Sequence, residues 1–167
     1  MPDKKTLERA AKDKREGKAP TTQAGEFVRE EIEHIRQGKH GARSAKQAIA
    51  IGLSKARRAG VDLPPPKSGT ASEETRAKAE RDYEAGKKAT KPISAKRSRA
   101  VKSALKREPR AAASKLALAR QAKSAASQRS AAERSAAARK AVKTKGAAKR
   151  SAAAKKAAKT RVGSNDL

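Results

Sequence analysis

The sequence predicts a mainly α-helical protein: a small helical hairpin head, then solvated helices and a low-complexity, largely disordered basic tail. Large apolar residues recur at helical spacing only within residues 21–63. Leu, Ile, Val and Phe together account for 18 of 167 residues, too few for a core that spans the chain. The formal net charge is +27, and residues 110–167 hold 16 basic residues against 2 acidic ones. High charge with so little apolar content is typical of disorder in such a tail.

Shifts in composition divide the chain into five segments. We expect a mobile charged helical arm (1–20), a helical hairpin (21–63), a Pro-rich linker (64–71), charged solvated helices (72–109) and an Ala/Lys/Arg-rich tail that is disordered or helix-prone (110–167). Among these segments, only the hairpin has enough large apolar side chains to form a core.

The first helix of the hairpin is marked by its apolar spacing. Thr22 is a plausible N-cap. Phe27, Ile32 and Ile35 then fall on one helical face, and acidic and basic residues occupy most of the other. Gly38 is placed to end the helix, as a glycine just past a helix C-terminus commonly does.

The second helix begins with Ser44 and Gln47, which have the spacing of a capping box. Gly60 closes it, and Val61 can supply the apolar contact that often follows such a stop. A short connection between the helices favours an antiparallel hairpin. Because a lone hairpin buries little surface, we expect support from homodimerisation, from the N-terminal arm or from a ligand.

The middle of the chain has helix starts but no apolar stripe. Pro64–Pro66 predicts a stiff extended spacer. Ser72 and Ser94 are each placed to cap a helix. Val101 and Leu105 stand almost alone among charged residues in the second of these. We therefore expect both helices to be single and solvated.

The tail carries the strongest functional signal. Its basic residues recur at five-residue steps, which turn a helix by about 140° and wind the charge around the axis. A membrane-surface helix would instead need one basic and one apolar side. The pattern favours an adaptable polycation that neutralises nucleic-acid phosphates. The alternative is a solubilising tail without a specific partner.

Two further basic features lie in the hairpin. The loop Gly38-Lys39-His40-Gly41 has the G-x-x-G spacing of the phosphate-clamping loop of KH domains, although an ordinary glycine turn explains it equally well. The outer face of the second helix could lie along a groove, but a solvated face is the more common explanation. The candidate nucleic-acid-binding residues are Lys39, Arg43, Lys46, Arg57, Arg58, Lys115, Arg120, Lys123, Arg129, Arg134, Arg139, Lys140, Lys143, Lys145, Lys149, Arg150, Lys155, Lys156 and Lys159.

Nothing in the sequence predicts an enzyme, a cofactor or a metal site. Cysteine is absent, which excludes disulfides and thiolate nucleophiles. His34 and His40 are the only histidines and match no ligand motif, so we expect surface residues. The acidic run at 30–33 is expected to be a solvated helix face. The longest apolar run, at 48–51, is far too short to cross a bilayer, and no secretory signal is recognisable.

Residues 38–60, GKHGARSAKQAIAIGLSKARRAG, resemble the core block of a family of small, basic, uncharacterised bacterial proteins, and the resemblance extends over about residues 1–63. It implies a bacterial source and carries no established activity. The Lys/Ala-rich tail is similar in composition to the tails of linker histones and bacterial histone-like proteins.

These observations favour a non-enzymatic protein of the cytoplasm, associated with the nucleoid, that binds and compacts DNA without reading its sequence. One alternative is an RNA-binding or ribosome-associated factor. Another is a protein-interaction module whose tail only localises it to nucleic acid.

Overall fold

A computed structural model describes residues 2–88 and 94–162, except that the side chains at 144, 145, 149, 150, 156, 157 and 159–162 fall outside that description. Throughout this part of the chain all regular elements are helical, which confirms the predicted mainly α class. They are α1 (Lys4–Arg15), α2 (Pro20–Arg36), α3 (Ala45–Arg58), α4 (Glu73–Lys87), α5 (Ala95–Lys106), a 3₁₀ turn (Arg110–Ala113), α6 (Lys115–Ser127) and α7 (Ala131–Val162). The chain divides into two compact units, 1–121 and 122–167.

The ends of α2 and α3 follow local chemistry. α2 begins at Pro20, two residues before the expected cap at Thr22, because proline is well suited to the first position of a helix. Ser44 caps α3 as predicted, its Oγ accepting a hydrogen bond from the Gln47 amide at 3.2 Å. Gly38 and Gly60 follow the two helices with φ of 75° and 83°, a conformation that favours glycine.

The hairpin of α2 and α3 forms the centre of the first unit. One buried cluster joins the two helices near their connection, and its residues are Ile32, Ile35, Ala42, Ala48, Ala112 and Ala113. A second cluster, towards the other end, consists of Ala10, Ala24, Phe27, Ala56 and Val61. The helices approach closely at Gly52, where a Cβ would lie 2.6 Å from the Cα of Val28. Small residues therefore set the distance between the helices.

α1 packs against α2, so the N-terminal arm is a docked helix and our description of it as mobile needs correction. Thr6 and Ala10 are buried, and Ala10 contributes to the second cluster. Arg9 and Glu26 form an ion pair that joins α1 to α2. The facing surfaces of α1 and α2 meet at small residues such as Ala10 and Ala24. The contact therefore needs few large apolar side chains, and the apolar pattern of the sequence did not predict it.

α4 packs against α3, contrary to the expectation that it is solvated. Ala79 and Asp82 are buried, and Asp82 accepts hydrogen bonds from Ser54 Oγ at 2.6 Å and Arg58 Nε at 2.7 Å. Close approach again depends on glycine, since a Cβ at Gly86 would lie 2.0 Å from the carbonyl oxygen of Arg57. α5 has no buried residue among those described, in agreement with its predicted solvation.

The predicted stiff spacer begins at a segment that is bound to two helices. The guanidinium of Arg57 donates to the carbonyl oxygens of Leu63 at 3.1 Å and Pro64 at 3.4 Å. Tyr83 of α4 donates its hydroxyl to Asp62, which precedes the prolines, at 2.6 Å. The start of the linker is therefore held at α3, and Asp62, two residues before it, is held at α4.

The 3₁₀ turn belongs to the folded unit, so residue 110 is not where the tail begins. Ala112 and Ala113 are buried against Ile32 and Ile35. Arg36 Nε holds the same turn by donating to the carbonyl oxygen of Ala113 at 3.0 Å. Because α1, α4 and this turn cover the hairpin within one chain, its support no longer requires a second copy. The homodimer stays a prediction.

The second unit contains α7, which begins with a capping box. Glu133 N donates to Ser130 Oγ at 3.2 Å, and Ser130 N donates to Glu133 Oε2 at 2.9 Å. The helical path is broken at Gly146, with φ 67° and ψ 168°. Nowhere in the described residues does a helix combine the length and apolar content that a bilayer crossing requires.

Candidate functional site

The basic side chains of α6 and α7 that the structure describes are presented to solvent. In the second unit, residues 122–167 include 13 basic and 2 acidic residues, a net charge of +11. The predicted residues with exposed side chains are Lys115, Arg120, Lys123, Arg129, Arg134, Arg139, Lys140, Lys143 and Lys155. The side chains of Lys145, Lys149, Arg150, Lys156 and Lys159 lie outside the described residues. Such a concentration of exposed cations attracts polyanions.

The loop before α3 does not form the phosphate clamp suggested by its G-x-x-G spacing. Gly41 N donates to the carbonyl oxygen of Leu105 at 2.8 Å, and Ala42 N donates to that of Pro109 at 3.1 Å. A Cβ at Gly41 would lie 1.8 Å from the Glu108 carbonyl oxygen, so the chain covers this loop closely. Gly41 therefore allows close packing within the protein. Its amide donates to Leu105 and is not available to bind a phosphate.

Three predicted cations around that loop remain on the surface. Lys39, Arg43 and Lys46 are all exposed. A shallow depression elsewhere in the same unit, of about 590 Å³, is lined in part by Arg36, Arg110 and Lys115. The first unit therefore offers some cationic surface, and the sequence analysis had not singled out Arg36 or Arg110.

Arg57 and Arg58 have structural roles instead of forming an open binding face. Arg57 is buried, and that burial lowers the pKa of its guanidinium. Its two hydrogen bonds hold the start of the linker. Arg58 is more than half exposed but pairs with Asp82 at 2.7 Å. The prediction that Arg57 contacts nucleic acid is wrong, because its side chain faces the protein.

A partly buried cluster of charged and imidazole side chains lies where α2, α3 and the loop between them meet the residue before α1. Glu31 is completely buried and Glu30 is 5% exposed, so these carboxylates do not form the solvated face that we expected. Lys55 Nζ from α3 donates to Glu31 Oε2 at 2.5 Å. The amide of Asp3 donates to Glu30 Oε2 at 3.1 Å. We call the set Asp3, Glu30, Glu31, His34, His40 and Lys55 the acid–histidine cluster.

The second oxygen of each buried glutamate accepts no hydrogen bond within the described part of the chain. Glu31 Oε1 lies 3.2 Å from His40 Nε2, and Glu30 Oε1 lies 4.0 Å from Nδ1 of His34. The two imidazole rings approach edge to face, with centroids 6.3 Å apart. Each histidine therefore lies beside one of the two buried carboxylates, and the two histidines lie beside each other.

The other nitrogen of each imidazole is already engaged. His40 Nδ1 lies 3.0 Å from the carbonyl oxygen of Gly41, and His34 Nε2 lies 3.3 Å from Asp3 Oδ2. The hydrogen bond with His34 lowers the pKa of Asp3, and the nearby charges of Lys39 and Lys55 act in the same direction. Carbonyl and carboxylate oxygens only accept, so each of these nitrogens carries a proton.

Sequence reasoning missed this cluster because its members match no ligand motif. Glu30, Glu31 and His34 lie on one helix, but His40 is in a loop and Lys55 is on another helix. One signal was available: the spacing of Glu30 and His34 puts them on one face of α2, next to the apolar positions Phe27 and Ile35.

Residues 5–67 match a family of unknown function (DUF6496). The matched region covers α1, α2, α3 and the linker up to Lys67, and it includes all members of the acid–histidine cluster except Asp3. The resemblance to an uncharacterised family is thereby supported for the head of the chain. No curated protein and no solved structure matches this sequence.

Proposed function

We propose that this protein is a non-enzymatic, sequence-independent DNA-binding protein that acts in the nucleoid through phosphate neutralisation by its basic helices. The observation that carries the proposal is the charge of residues 122–167, 13 basic residues against 2 acidic ones, with the described cationic side chains exposed. A polycation of this density releases the counterions condensed on a duplex, and that release favours binding without base contacts.

The scarcity of aromatic residues supports binding through the backbone of the nucleic acid. The chain has one Phe, one Tyr and no Trp. Phe27 is buried in the core, and the ring of Tyr83 is covered by Lys87 Nζ at 4.1 Å from its centroid. Readers of single strands stack bases on exposed aromatic rings. We therefore favour duplex DNA over single-stranded RNA as the ligand.

The test is the salt dependence of binding to a short duplex, measured by fluorescence anisotropy with the full chain. If about eight charges engage the duplex, log affinity falls against log salt with a slope of about −7. Replacing Lys123, Arg129, Arg139, Lys143 and Lys155 together by Gln keeps good helix formers in place and removes five charges. We expect the slope to become shallower by about 4.

The matched control removes five exposed charges from α1, by replacing Lys4, Lys5, Lys12, Lys14 and Arg15 with Gln. Its slope should change much less if the tail makes the contacts. Equal effects of the two variants, or full-length binding that resists moderate salt, would refute the proposal. Structured RNA is included as a competitor, and preferential displacement of the duplex by RNA would favour an RNA-binding function instead.

A further inference from the structure

The acid–histidine cluster has more negative charge than its single cation balances. Asp3, Glu30 and Glu31 contribute three carboxylates, and Lys55 contributes one ammonium group. With both imidazoles neutral, the cluster has a net charge of −2, and two of its carboxylates are almost completely buried. Buried charge that is not compensated is strongly unfavourable, so a divalent cation is of the correct charge to complete this cluster.

The protonated nitrogens of the two histidines determine where their lone pairs are. Since His40 Nδ1 and His34 Nε2 each hold a proton for their oxygen partners, the neutral rings have lone pairs on His40 Nε2 and His34 Nδ1. These are the two nitrogens that face Glu31 Oε1 and Glu30 Oε1, the oxygens without hydrogen bonds. Each of these two nitrogens thus faces a glutamate oxygen that accepts no hydrogen bond from the described residues.

The distances agree with a shared metal ion. One ligand atom each from Glu31, His34 and His40 can be chosen so that all three lie within 4.8 Å of one another. In a tetrahedral zinc site, ligand atoms about 2.0 Å from the ion are about 3.3 Å apart. His40 Nε2 and Glu31 Oε1 are 3.2 Å apart and form no hydrogen bond, as two ligands directed at a third atom would.

We propose that the acid–histidine cluster is a binding site for a divalent transition-metal ion of the zinc type, with Glu31, His34 and His40 as ligands. Imidazole nitrogen suits zinc and its neighbours, whereas magnesium and calcium require oxygen ligands. Gly41 and Asp3 hold the imidazoles, and Lys55 holds Glu31 Oε2, as outer partners of metal ligands commonly do.

The site would act as a structural clamp of the head. Its ligands come from α2 and the loop before α3, and their outer partners Asp3 and Lys55 connect them to the start of the chain and to α3. Metal binding to a folded site adds its free energy to folding. This inference does not depend on the proposed DNA binding, because the cluster contains none of the cations assigned to that function.

The experiment uses the full chain without a histidine tag, treated with a chelator and then titrated with Zn²⁺. We expect 1:1 binding by calorimetry and, with zinc at about 100 times its dissociation constant, a rise in melting temperature on the order of 10 °C. Mg²⁺ at the same concentration should give neither effect. Because His34 and His40 are the only histidines, their ¹⁵N ring signals can be followed individually, and both should shift at one equivalent of zinc.

Variants assign the ligands. His34→Gln and His40→Gln should each weaken zinc binding by at least about 100-fold. Glu33→Gln, an exposed carboxylate on the same helix, is the matched control and should bind as the unmodified chain does. If a histidine variant fails to fold, the response of the ¹⁵N ring signals of the unmodified protein to zinc still tests whether the two histidines bind the ion. Doubly protonated rings at neutral pH that do not respond to zinc would overturn the proposal and identify the cluster as an internal network of ion pairs.

Discussion

At the scale of single residues, neighbouring charged side chains on one helix differ in burial according to which other elements pack over them. Glu31 and Glu33 are two positions apart on α2, yet Glu31 is completely buried and Glu33 is exposed. Arg57 and Arg58 are adjacent on α3 and differ in the same way. In both pairs the buried member bonds to another part of the chain, as a buried charge requires.

Tyr83 offers a direct measure of the contact between α4 and the linker. The hydrogen bond that its hydroxyl donates to Asp62 raises the pKa of the phenol above its usual value of about 10, and burial adds to the effect. We expect Asp62→Ala to return the titration of Tyr83 towards that usual value. Absorbance at 295 nm measures this directly, because the chain has one tyrosine and no tryptophan.

The same shift has a consequence for stability. The folded state holds the phenolic proton more tightly than the unfolded state, so the contribution is fully present below about pH 10 and is lost as pH rises through the higher folded pKa. Asp62→Asn, which keeps an acceptor but removes the charge, should retain part of the shift. Identical titration curves for the unmodified protein and Asp62→Ala would contradict the contact.

At the scale of elements, helices in this protein pack through small residues. Gly52 allows α3 to approach α2, and Gly86 allows α4 to approach α3. Ala24, Ala48 and Ala56 are completely buried between the helices. Short distances between helix backbones therefore replace the large interlocking side chains that this sequence lacks.

Two glycines of the hairpin provide a matched test of this packing. Gly52→Ala would place a methyl group 2.6 Å from Val28 Cα, and we expect it to lower the free energy of unfolding by about 1–3 kcal/mol. Gly25 in α2 has open space around it, so Gly25→Ala should stabilise the protein by up to about 1 kcal/mol. Urea unfolding followed by circular dichroism measures both. Equal effects would show that the helices are not in close contact at Gly52.

The elements could be predicted from the sequence to the extent that they depend on near neighbours. The cap at Ser44 and the stops at Gly38 and Gly60 involve atoms within a few residues, and the structure has them as expected. The burial of Ala79 and Ala113 depends on residues far away in the sequence. Alanine occurs on both buried and exposed helix faces, so its identity alone does not predict burial. The acid–histidine cluster was missed for the same reason, since four separate segments bring its members together.

At the scale of the whole molecule, the boundary between the head and the basic tail lies further along than composition suggests. Residues 1–121 form the first compact unit, and it includes the 3₁₀ turn and the first part of α6. Leu118 of α6 packs against the buried cluster that contains Ile32 and Ile35. The charge-rich composition from residue 110 onward therefore does not coincide with the end of the folded head.

Truncations at the two boundaries should behave differently. A chain that ends at Gln121 should unfold with a free energy within about 0.5 kcal/mol of that of the full protein, because the first unit is intact. A chain that ends at Pro109 loses Ala112, Ala113 and Leu118 from the core and should be destabilised by about 3 kcal/mol. Urea unfolding of the three chains measures this, and equal stabilities would place the boundary at 110 after all.

The interruption of α7 at Gly146 determines how closely this helix could follow a curved surface. A straight rod of 32 residues would be about 48 Å long, and it would touch a cylinder only along a tangent. The break replaces it with two segments, each of about 15 residues and about 23 Å, shorter than the 34–36 Å of one duplex turn. If the protein binds duplex DNA as proposed, each segment is short enough to follow a separate stretch of phosphates along the curved backbone.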